Sequence, residues 1–258
     1  MSEEVSPPGN DLRGKGKDKH LPQIDPDKNP ALHARLNFNG AERYRLYVQQ
    51  RLAGKIHIIV NRLFYNKIRW ECANILDPSN YAGQFSDYNM ALYQIKSNVI
   101  FLNVANGEES MQGYSFVNHR HISLALGLAH DLHTSLSVAL KSIVILTGYE
   151  AQRRAYIVEQ GRRQGAHPEV KWMDMPALVI GTFQGNAANV VIFDVVRTKE
   201  VGFMRSYRRL NVALSRGRFA LDCLYNAGSM TTKEFRFPRK TIKHALARIL
   251  SFRPSGHA

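Results

Sequence analysis

The sequence of 258 residues contains only two cysteines, Cys72 and Cys223, and they lie in unrelated contexts. Neither has a partner at metal-ligand spacing, so the chain offers no disulfide framework and no cysteine zinc site. The histidine pairs lack a cysteine or carboxylate that would complete a metal set, and we interpret them as surface side chains: His119, His121, His130 and His133. The sequence therefore predicts no metal site and favours a reduced intracellular compartment, nucleus or cytoplasm.

Long apolar runs are also lacking, since no segment approaches the roughly 18 residues of a membrane-spanning helix. The polar N-terminus has no apolar signal-peptide core. Hydrophobic residues make up 44% and charged residues 22% of the chain, which is ordinary for a globular protein. We therefore predict no membrane partner, and either one large domain or one domain with an appendage.

Acidic residues are few: the chain has 21 aspartates and glutamates, compared with 35 lysines and arginines. The net charge is +14 and the sequence pI is near 9.9. This excess favours a polyanionic partner, either nucleic acid or an anionic membrane surface, because binding releases condensed counterions. Charge alone does not choose between these two partners.

Strand-like and helix-like segments alternate through the second half of the chain. Apolar runs predict buried strands at residues 98–104, 142–147 and 187–196. Between them, periodic patterns predict a long helix at 118–140 and the start of a basic helix at 148–153. This order predicts an α/β fold, with a parallel sheet and helices on both faces.

The flanking segments have a different composition. Residues 1–30 are almost without apolar side chains and are predicted to be a mobile tail. Residues 66–90 are rich in turn formers and are predicted to be a loop-rich connector. We expect one domain over residues 31–228, followed by a basic extension at 229–258 with a short helix at 241–252.

Two neighbouring patterns lie between residues 177 and 226. The segment Thr182-Phe-Gln-Gly185 precedes the strand at 187–196, and its glycine lets backbone amides approach a phosphate closely. The second pattern predicts a helix at 207–218 with a small apolar face, formed by Leu210, Ala213, Leu214 and Gly217. Its polar face is formed by Arg208, Asn211, Ser215 and Arg218, with Arg209 and Arg216 at the border, and we expect the Arg216 head to face solvent.

An arginine-rich helix face suits phosphate, because each guanidinium stays charged and donates in a planar fork. The alternative is a basic face that is merely solvated. Order and spacing favour the first interpretation, since the glycine loop, the buried strand, a Val-Arg pair and Arg-Arg-Leu-Asn-Val-Ala-Leu-Ser-Arg-Gly-Arg follow one another.

This succession resembles motifs V and VI of superfamily 1 helicases, most closely the up-frameshift and senataxin-like family with its SFQGxExDxVI, VR and RRLNVALTRAR segments. The resemblance implies the second of two RecA-like domains of an ATP-driven nucleic-acid motor. It implies a catalytic finger role for Arg216, and nucleotide contacts from Arg218 and Gly185. It also implies nucleic-acid contacts from Thr182 and Gln184.

Weaker likenesses to the same family lie upstream. Arg51 is followed after thirteen residues by Phe64, as in the YRMHPxI and FY segments, which implies that Arg51 reaches the terminal phosphate of ATP. The alternative is a surface arginine on an amphipathic helix. Residues 148–153 resemble motif IV, TPYxxQ, which implies that Tyr149 and Gln152 contact nucleic acid by stacking and hydrogen bonding. The alternative is a tyrosine packed at a strand end.

Several parts of a complete motor are lacking. Residues 16–22 faintly resemble motif III, GDxxQLPP, but without its acid and glutamine, and we assign them no activity. There is no GxxxxGK[ST] segment and no matching acidic strand, and motif V has Ala187 and Asn189 where the family usually has acids. We therefore expect ATP and Mg²⁺ to be used only with a first RecA-like domain in trans, on single-stranded RNA or DNA. The alternative is a non-enzymatic nucleic-acid-binding module or a truncated helicase remnant.

Overall fold

A five-stranded parallel sheet lies at the centre of the computed structural model, which describes residues 48–65, 71–72, 81–200 and 202–227. The predicted mobile tail, the motif III likeness and the predicted helix at 241–252 all lie outside these residues. In chain order the elements are β1 (Val48–Gln49), α1 (Gly54–Phe64), β2 (Glu71–Cys72), α2 (Tyr81–Tyr93), β3 (Val99–Asn103), β4 (Ser110–Gln112), β5 (Ser115–Val117), α3 (His119–Leu136), β6 (Ile143–Thr147), α4 (Glu150–Ala166), β7 (Ala177–Val179), β8 (Ala188–Asp194), α5 (Tyr207–Leu214) and β9 (Gly217–Tyr225).

The sheet has the order β3-β9-β8-β6-β7, and all of its neighbouring strands run parallel. Side chains of β8 alternate between its two faces. Val190 and Ile192 pack with α2, α3 and α4, whereas Val191 and Phe193 pack with α1 and α5. Because both faces are covered, the strands are apolar runs without alternation, as expected for a parallel sheet. The predicted α/β fold with helices on both faces is confirmed.

The three predicted strands occur as β3, β6 and β8, and the long predicted helix occurs as α3. Asn118 begins that helix, since its side-chain oxygen accepts a hydrogen bond from the backbone N–H of His121 at 3.2 Å. The helix ends at Ser137, which has a left-handed backbone with φ of 54°. None of the helices in the described part of the chain is long and apolar enough to cross a membrane.

Two of the predicted elements are wrong. The connector at 66–90 contains α2, a helix whose buried side chains are limited to Phe85 and Asn89, so its apolar face is too narrow to show in the pattern. The helix predicted at 207–218 ends at Leu214, and Gly217 begins β9 instead. Pairing of β9 with β3 and β8 at the centre of the sheet overrides the local helical periodicity.

An acidic side chain of β9 is buried inside the sheet. Asp222 of β9 is only 4% exposed, and burial raises the pKa of its carboxyl to about 7. Tyr88 and Tyr93 of α2 and Asp131 of α3 lie near enough for their charges to interact with it or with one another. Burial likewise raises the pKa of the neighbouring Cys223 thiol, and the charge of Asp222 adds to the effect.

Candidate functional site

Arg51 and Arg216 are far apart in the sequence but lie near each other at the amino-terminal edge of the sheet, close enough for the charge of Arg51 to lower the pKa of Arg216. Arg216 lies between α5 and β9, and its carbonyl accepts a hydrogen bond from the N–H of Ala188 at the start of β8. On the other side, the N–H of Ala53 donates to the carbonyl of Arg218 at 2.8 Å, which brings the segment before α1 to the same edge. The result is an arginine pair contributed by two distant parts of the chain.

The Arg216 guanidinium is half-buried, and each of its three nitrogens donates one hydrogen bond. Its Nε donates to the carbonyl of Val212 at 3.0 Å, Nη1 to the carbonyl of Asn186 at 3.0 Å, and Nη2 to Oγ of Ser215 at 3.1 Å. The prediction that this head faces solvent freely is therefore wrong. Burial lowers the pKa of Arg216, and the nearby positive charge of Arg51 lowers it further.

The arginine pair is a site of uncompensated positive charge within the described residues. No aspartate or glutamate there lies within ion-pair distance of either guanidinium, and the partners of Arg216 are two carbonyls and a hydroxyl. Two nearby positive charges repel each other, and an anion bound between or beside them relieves this repulsion. The arrangement is chemically suited to a phosphate.

Arg51 itself lies in a bend before α1, so the alternative of an arginine on a helix surface does not apply. The side chain of Gln49 shapes this bend, because its Oε1 accepts from the N–H groups of Arg51 and Leu52. The apolar side of α1 packs on the sheet through Ile56, Val60 and Phe64. Arg51 stays exposed next to an anchored helix.

The glycine loop connects the carboxyl end of β7 with the amino end of β8. Thr182 is exposed, and its hydroxyl donates to the carbonyl of Val179 at 2.8 Å. Gln184 and Gly185 are exposed as well, and Gly185 has φ of 91°, a conformation that favours glycine. Since Asn186 of this loop accepts from Arg216, the loop and the arginine pair form one continuous surface.

Replacing Gly185 by alanine should destabilise the fold through backbone strain alone, because a Cβ there meets no atom within 4 Å. We expect a loss of about 1 kcal/mol in the free energy of unfolding, or about 2–4 °C in melting temperature. Gly181→Ala is the matched control, since it also has open space but an ordinary φ, and its melting temperature should stay level or rise slightly. Equal melting temperatures for the two variants would contradict the assignment of strain.

Arg218 lies on β9 and not on the helix where the sequence pattern placed it, so that prediction is wrong. Its side chain is exposed, and its guanidinium carbon lies 5.1 Å from the centre of the Phe219 ring. Arg208 is exposed on α5. Arg218 therefore adds positive charge to the surface beside the arginine pair.

The arginines of α4 contribute less free charge than their number suggests. Glu150 binds Arg153 and Arg154, and hydrogen bonds from Arg153 first, and then Arg154, lower its pKa to about 2. Glu159 binds the next pair of arginines on the same helix, Arg162 and Arg163, in the same way. These four arginines are therefore compensated by carboxylates of their own helix.

Gln152 is fully buried and cannot contact nucleic acid, so its predicted role is wrong. Its Oε1 accepts from the N–H of Asn118 at 2.7 Å, while its Nε2 donates to the carbonyl of Asn118 at 3.2 Å and to Oδ2 of Asp194 at 2.6 Å. The side chain therefore joins α4 to the start of α3 and to the end of β8. Sequence spacing located the residue but not the direction of its side chain.

Tyr149 is half-buried at the carboxyl end of β6. Its ring meets the Phe116 ring edge to face, with centroids 5.6 Å apart and an interplanar angle of 81°. Its hydroxyl is hydrogen-bonded to the guanidinium of Arg197. Tyr149 is thus packed at a strand end, which was the alternative to a nucleic-acid contact. Part of its side chain remains accessible.

Sequence reasoning missed an ion pair that supports this tyrosine. Nε of Arg197 donates to Oε2 of Glu109 at 3.0 Å, and both side chains are less than 10% exposed. Burial raises the pKa of Glu109, but hydrogen bonds from Arg197 and from the N–H groups of Thr198 and Lys199 lower it more, so the net direction is down. The Arg197 guanidinium also lies 3.8 Å from the centre of the Phe116 ring.

A buried polar cluster around Asp194 was missed as well. Its Oδ1 accepts from Nδ1 of His121 at 2.7 Å and from the N–H of Val196 at 2.9 Å, and its Oδ2 accepts from the hydroxyl of Tyr156 at 2.7 Å. Burial, and then the charge of Asp194, raise the pKa of Tyr156 well above its ordinary value. The sequence signal was a carboxylate at the end of an apolar strand.

Of the four histidines interpreted as surface side chains, His121 is fully buried, so that interpretation is wrong for it. His130 stacks on Trp172 with centroids 5.5 Å apart, and Nδ1 of His133 lies 2.8 Å from the carbonyl of Val138. Within the described residues, no three histidine, cysteine, aspartate or glutamate side chains are grouped as a metal ion would require.

The five-stranded parallel sheet, covered by helices on both faces, is a RecA-like α/β arrangement. The family model described as "AAA domain" matches residues 29–227, and the chain belongs to this family. Within it, the chain is a domain of the superfamily 1 helicases related to the up-frameshift proteins, which confirms the resemblance stated from motifs V and VI.

Among curated relatives, the Regulator of nonsense transcripts 1 homolog of Arabidopsis thaliana is 28% identical over 201 residues, covering 76% of this chain and 15% of its own length. The 5'-3' DNA helicase ZGRF1 of Mus musculus is 29% identical over 72% of this chain and 9% of its own. The ATP-dependent helicase upf1 of Schizosaccharomyces pombe is 28% identical over 84% of this chain and 22% of its own. The chain therefore spans less than a quarter of each of these relatives.

Among solved structures, a C-terminal domain of a possible DNA helicase from Lactobacillus plantarum WCFS1 is 12% identical, with 77% of this chain and 96% of that chain covered. The TM-score is 0.42.

Proposed function

We propose that this chain is the second RecA-like domain of an ATP-dependent superfamily 1 helicase, in which Arg51 and Arg216 act on a nucleotide held by a first RecA-like domain. The observation that carries the proposal is the meeting of these two arginines at one edge of the sheet, without a carboxylate among the described residues to neutralise them. Arg216 has the fixed orientation that a finger arginine requires, because three hydrogen bonds hold its guanidinium.

The residues present fit a phosphate better than they fit a metal ion. Guanidinium forks and exposed backbone at Gly185 are donors for anionic oxygens, whereas Mg²⁺ needs oxygen ligands such as carboxylates. ATP with Mg²⁺, when bound in the first domain, supplies the phosphoanhydride bond whose cleavage drives movement. The part of this chain is to present Arg51, Arg216 and Arg218 to the developing negative charge.

Nucleic acid is the second ligand in the proposal. Thr182 and Gln184 are exposed on the glycine loop, and Tyr149 offers the accessible part of its ring at the carboxyl edge of the neighbouring strand. Together they suit single-stranded RNA or DNA, since stacking and polar contacts need no paired bases. We include in this proposal that the chain acts on nucleic acid in the nucleus or cytoplasm.

ATP turnover in three samples tests the proposal: this chain alone, a first RecA-like domain of a relative alone, and the two mixed with a single-stranded oligonucleotide. We expect turnover above the sum of the parts only in the mixture. Oligonucleotide binding without any stimulation would support the alternative of a non-enzymatic binding module. Magnesium-dependent turnover by this chain alone would contradict the proposal outright.

Binding of a fluorescent single-stranded oligonucleotide should weaken by about tenfold between 50 and 200 mM salt, as two to three phosphate contacts would give. Tyr149→Ala should weaken binding at fixed salt, because it removes the ring. Tyr149→Phe is the matched control, since it keeps the ring and loses only the hydroxyl bonded to Arg197. Fluorescence anisotropy measures both effects, and an affinity that does not change with salt would count against the proposed surface.

A further inference from the structure

Val196 has a backbone conformation that valine rarely adopts. Its φ is 67°, and only two other non-glycine residues in the described ranges have a positive φ, Gln94 and Ser137. Those two directly follow α2 and α3, where a left-handed residue commonly ends a helix. Val196 instead follows strand β8 and carries a branched side chain that is fully buried. For such a residue a positive φ is a true outlier.

The local hydrogen bonding identifies the turn. The N–H of Arg197 donates to the carbonyl of Val195 at 2.8 Å, two residues back, which makes Val196 the centre of a three-residue γ-turn. With a positive φ at its centre this turn belongs to the rare, strained form. Such strain persists only where the surroundings hold the backbone from several sides.

Two buried side chains hold both polar groups of this residue. The N–H of Val196 donates to Oδ1 of Asp194 at 2.9 Å, and its carbonyl accepts from Nδ2 of Asn118 at 3.1 Å. Asp194 is fixed in turn by His121, Gln152 and Tyr156, so the carboxylate accepts four hydrogen bonds in all. The turn is therefore fixed by elements α3 and α4 as well as by its own strand.

The turn determines where the following connector, residues 197–206, begins. It directs Arg197 onto Glu109, the Phe116 ring and the Tyr149 hydroxyl. Further along, a Cβ added to Gly202 would lie 2.2 Å from the Tyr149 hydroxyl, so the connector returns to the same tyrosine. The connector then leads into α5, which precedes Arg216.

We propose that Asp194 is a positioning residue for nucleic-acid binding, which acts by holding the strained turn at Val196 and thereby the Arg197 and Tyr149 side chains. The inference depends on the proposed function, since it assumes that Tyr149 contacts the strand. If the turn served stability alone, a relaxed backbone would make the fold more stable, because the strain opposes folding. A strained turn is useful where binding needs the side-chain positions that the turn fixes.

The test compares Val196→Gly with Val196→Ala, which lose nearly the same buried side chain. Glycine adopts a positive φ without strain, so the glycine variant should melt at the same temperature as the alanine variant or higher, the reverse of their usual order. The alanine variant keeps the strain but has lost the buried valine side chain that helps to hold the turn, so it should bind a labelled single-stranded oligonucleotide about five- to tenfold more weakly than the glycine variant. Val158→Ala, at an exposed valine of α4, is the control for binding.

Two further variants connect the effect to the named residues. Asp194→Asn places an amide where Oδ2 now accepts two donors, and it should weaken binding as the alanine variant at Val196 does. If it fails to fold, the pair at Val196 still decides the question. In a Tyr149→Ala background the difference between glycine and alanine at Val196 should vanish, because the positioned ring is gone.

The outcomes separate the inference from the proposed function. If the wild type binds the oligonucleotide and Tyr149→Ala weakens binding, but glycine and alanine at Val196 bind equally, only the positioning role is overturned. If the wild type does not bind, or Tyr149→Ala binds as the wild type does, the proposed nucleic-acid surface fails and the inference fails with it. A persisting difference at Val196 in the Tyr149→Ala background would also overturn positioning through that ring.

Discussion

Arg216→Ala should lower nucleic-acid-stimulated ATP turnover by about three to five decades when this chain is assayed with a first RecA-like domain, the range that finger arginines supply. The guanidinium meets charge that develops in the transition state, so the loss should appear in kcat more than in KM. Binding of a single-stranded oligonucleotide should change little. Steady-state turnover and fluorescence anisotropy on the same preparations measure the two effects.

The same substitution has a structural cost that must be separated from the catalytic one. Removing the guanidinium leaves the carbonyls of Val212 and Asn186 and the hydroxyl of Ser215 without this donor. We expect a loss of about 2 kcal/mol in the free energy of unfolding, since each bond contributes about 0.5–1.5 kcal/mol and water replaces some of them. Assays should therefore be run well below the melting temperature of the variant.

Arg208→Ala is the matched control, because Arg208 is an exposed arginine of the preceding helix, α5. It should leave stimulated turnover within a few fold of the wild type and stability within about 0.5 kcal/mol. Arg216→Lys should rescue poorly, because an ammonium cannot donate to three separate partners in a planar fork. Stimulated turnover that survives Arg216→Ala would show that motif VI is a relic in this chain.

The sheet could be predicted from the sequence because a strand buried on both faces needs apolar residues at every position. β6 and β8 are such runs, and their limits were found to within about three residues. β9 was missed, because its first residues also fit the helical spacing of Leu210, Ala213 and Leu214. Gly217 starts a strand because β9 pairs with β3 and β8, and this pairing is not visible in the local sequence.

The candidate site was found by family likeness and not by local pattern. No periodicity relates Arg51 to Arg216, since they meet only after α1 and β9 come together through the hydrogen bond between Ala53 and Arg218. Gln152 shows the opposite case, where the motif position was recognised but the side chain turns inward to Asp194. Residue type and spacing give the element on which a group lies, and packing decides which way it points.

The Asp194 cluster could not be predicted for the same reason. Its members come from the start of α3, from α4, and from the end of β8 with the turn at Val196, three segments that are separate in the sequence. A lone carboxylate at a strand end predicts nothing by itself. The positive φ of Val196 depends on those contacts, so no local rule for valine would have indicated it.

Asp222→Asn should stabilise the fold at pH 8 by about 2–4 kcal/mol, the largest stability effect that we expect in this chain. The ordinary pKa of the carboxyl is 3.8, and burial raises it to about 7 in the folded protein. At pH 8 the wild type must hold an ionised carboxylate inside the sheet, between α2, α3 and β9. An amide of nearly the same shape carries no charge to desolvate.

The pH dependence gives the sign of the effect. A carboxyl whose folded pKa is raised binds its proton more tightly in the folded state, so its contribution to stability is greatest below about pH 4 and falls as pH rises to about 7. The asparagine variant lacks this titration, so its advantage in stability over the wild type should be small near pH 4, grow through pH 5 and 6, and level off above pH 7.

Urea unfolding of both proteins at a series of pH values measures this difference in stability, with Asp174→Asn at an exposed position as the control. An advantage that is the same at pH 5 and pH 8 would show that Asp222 does not titrate in this range, and a destabilised variant would show that the carboxylate has a partner that the amide cannot satisfy.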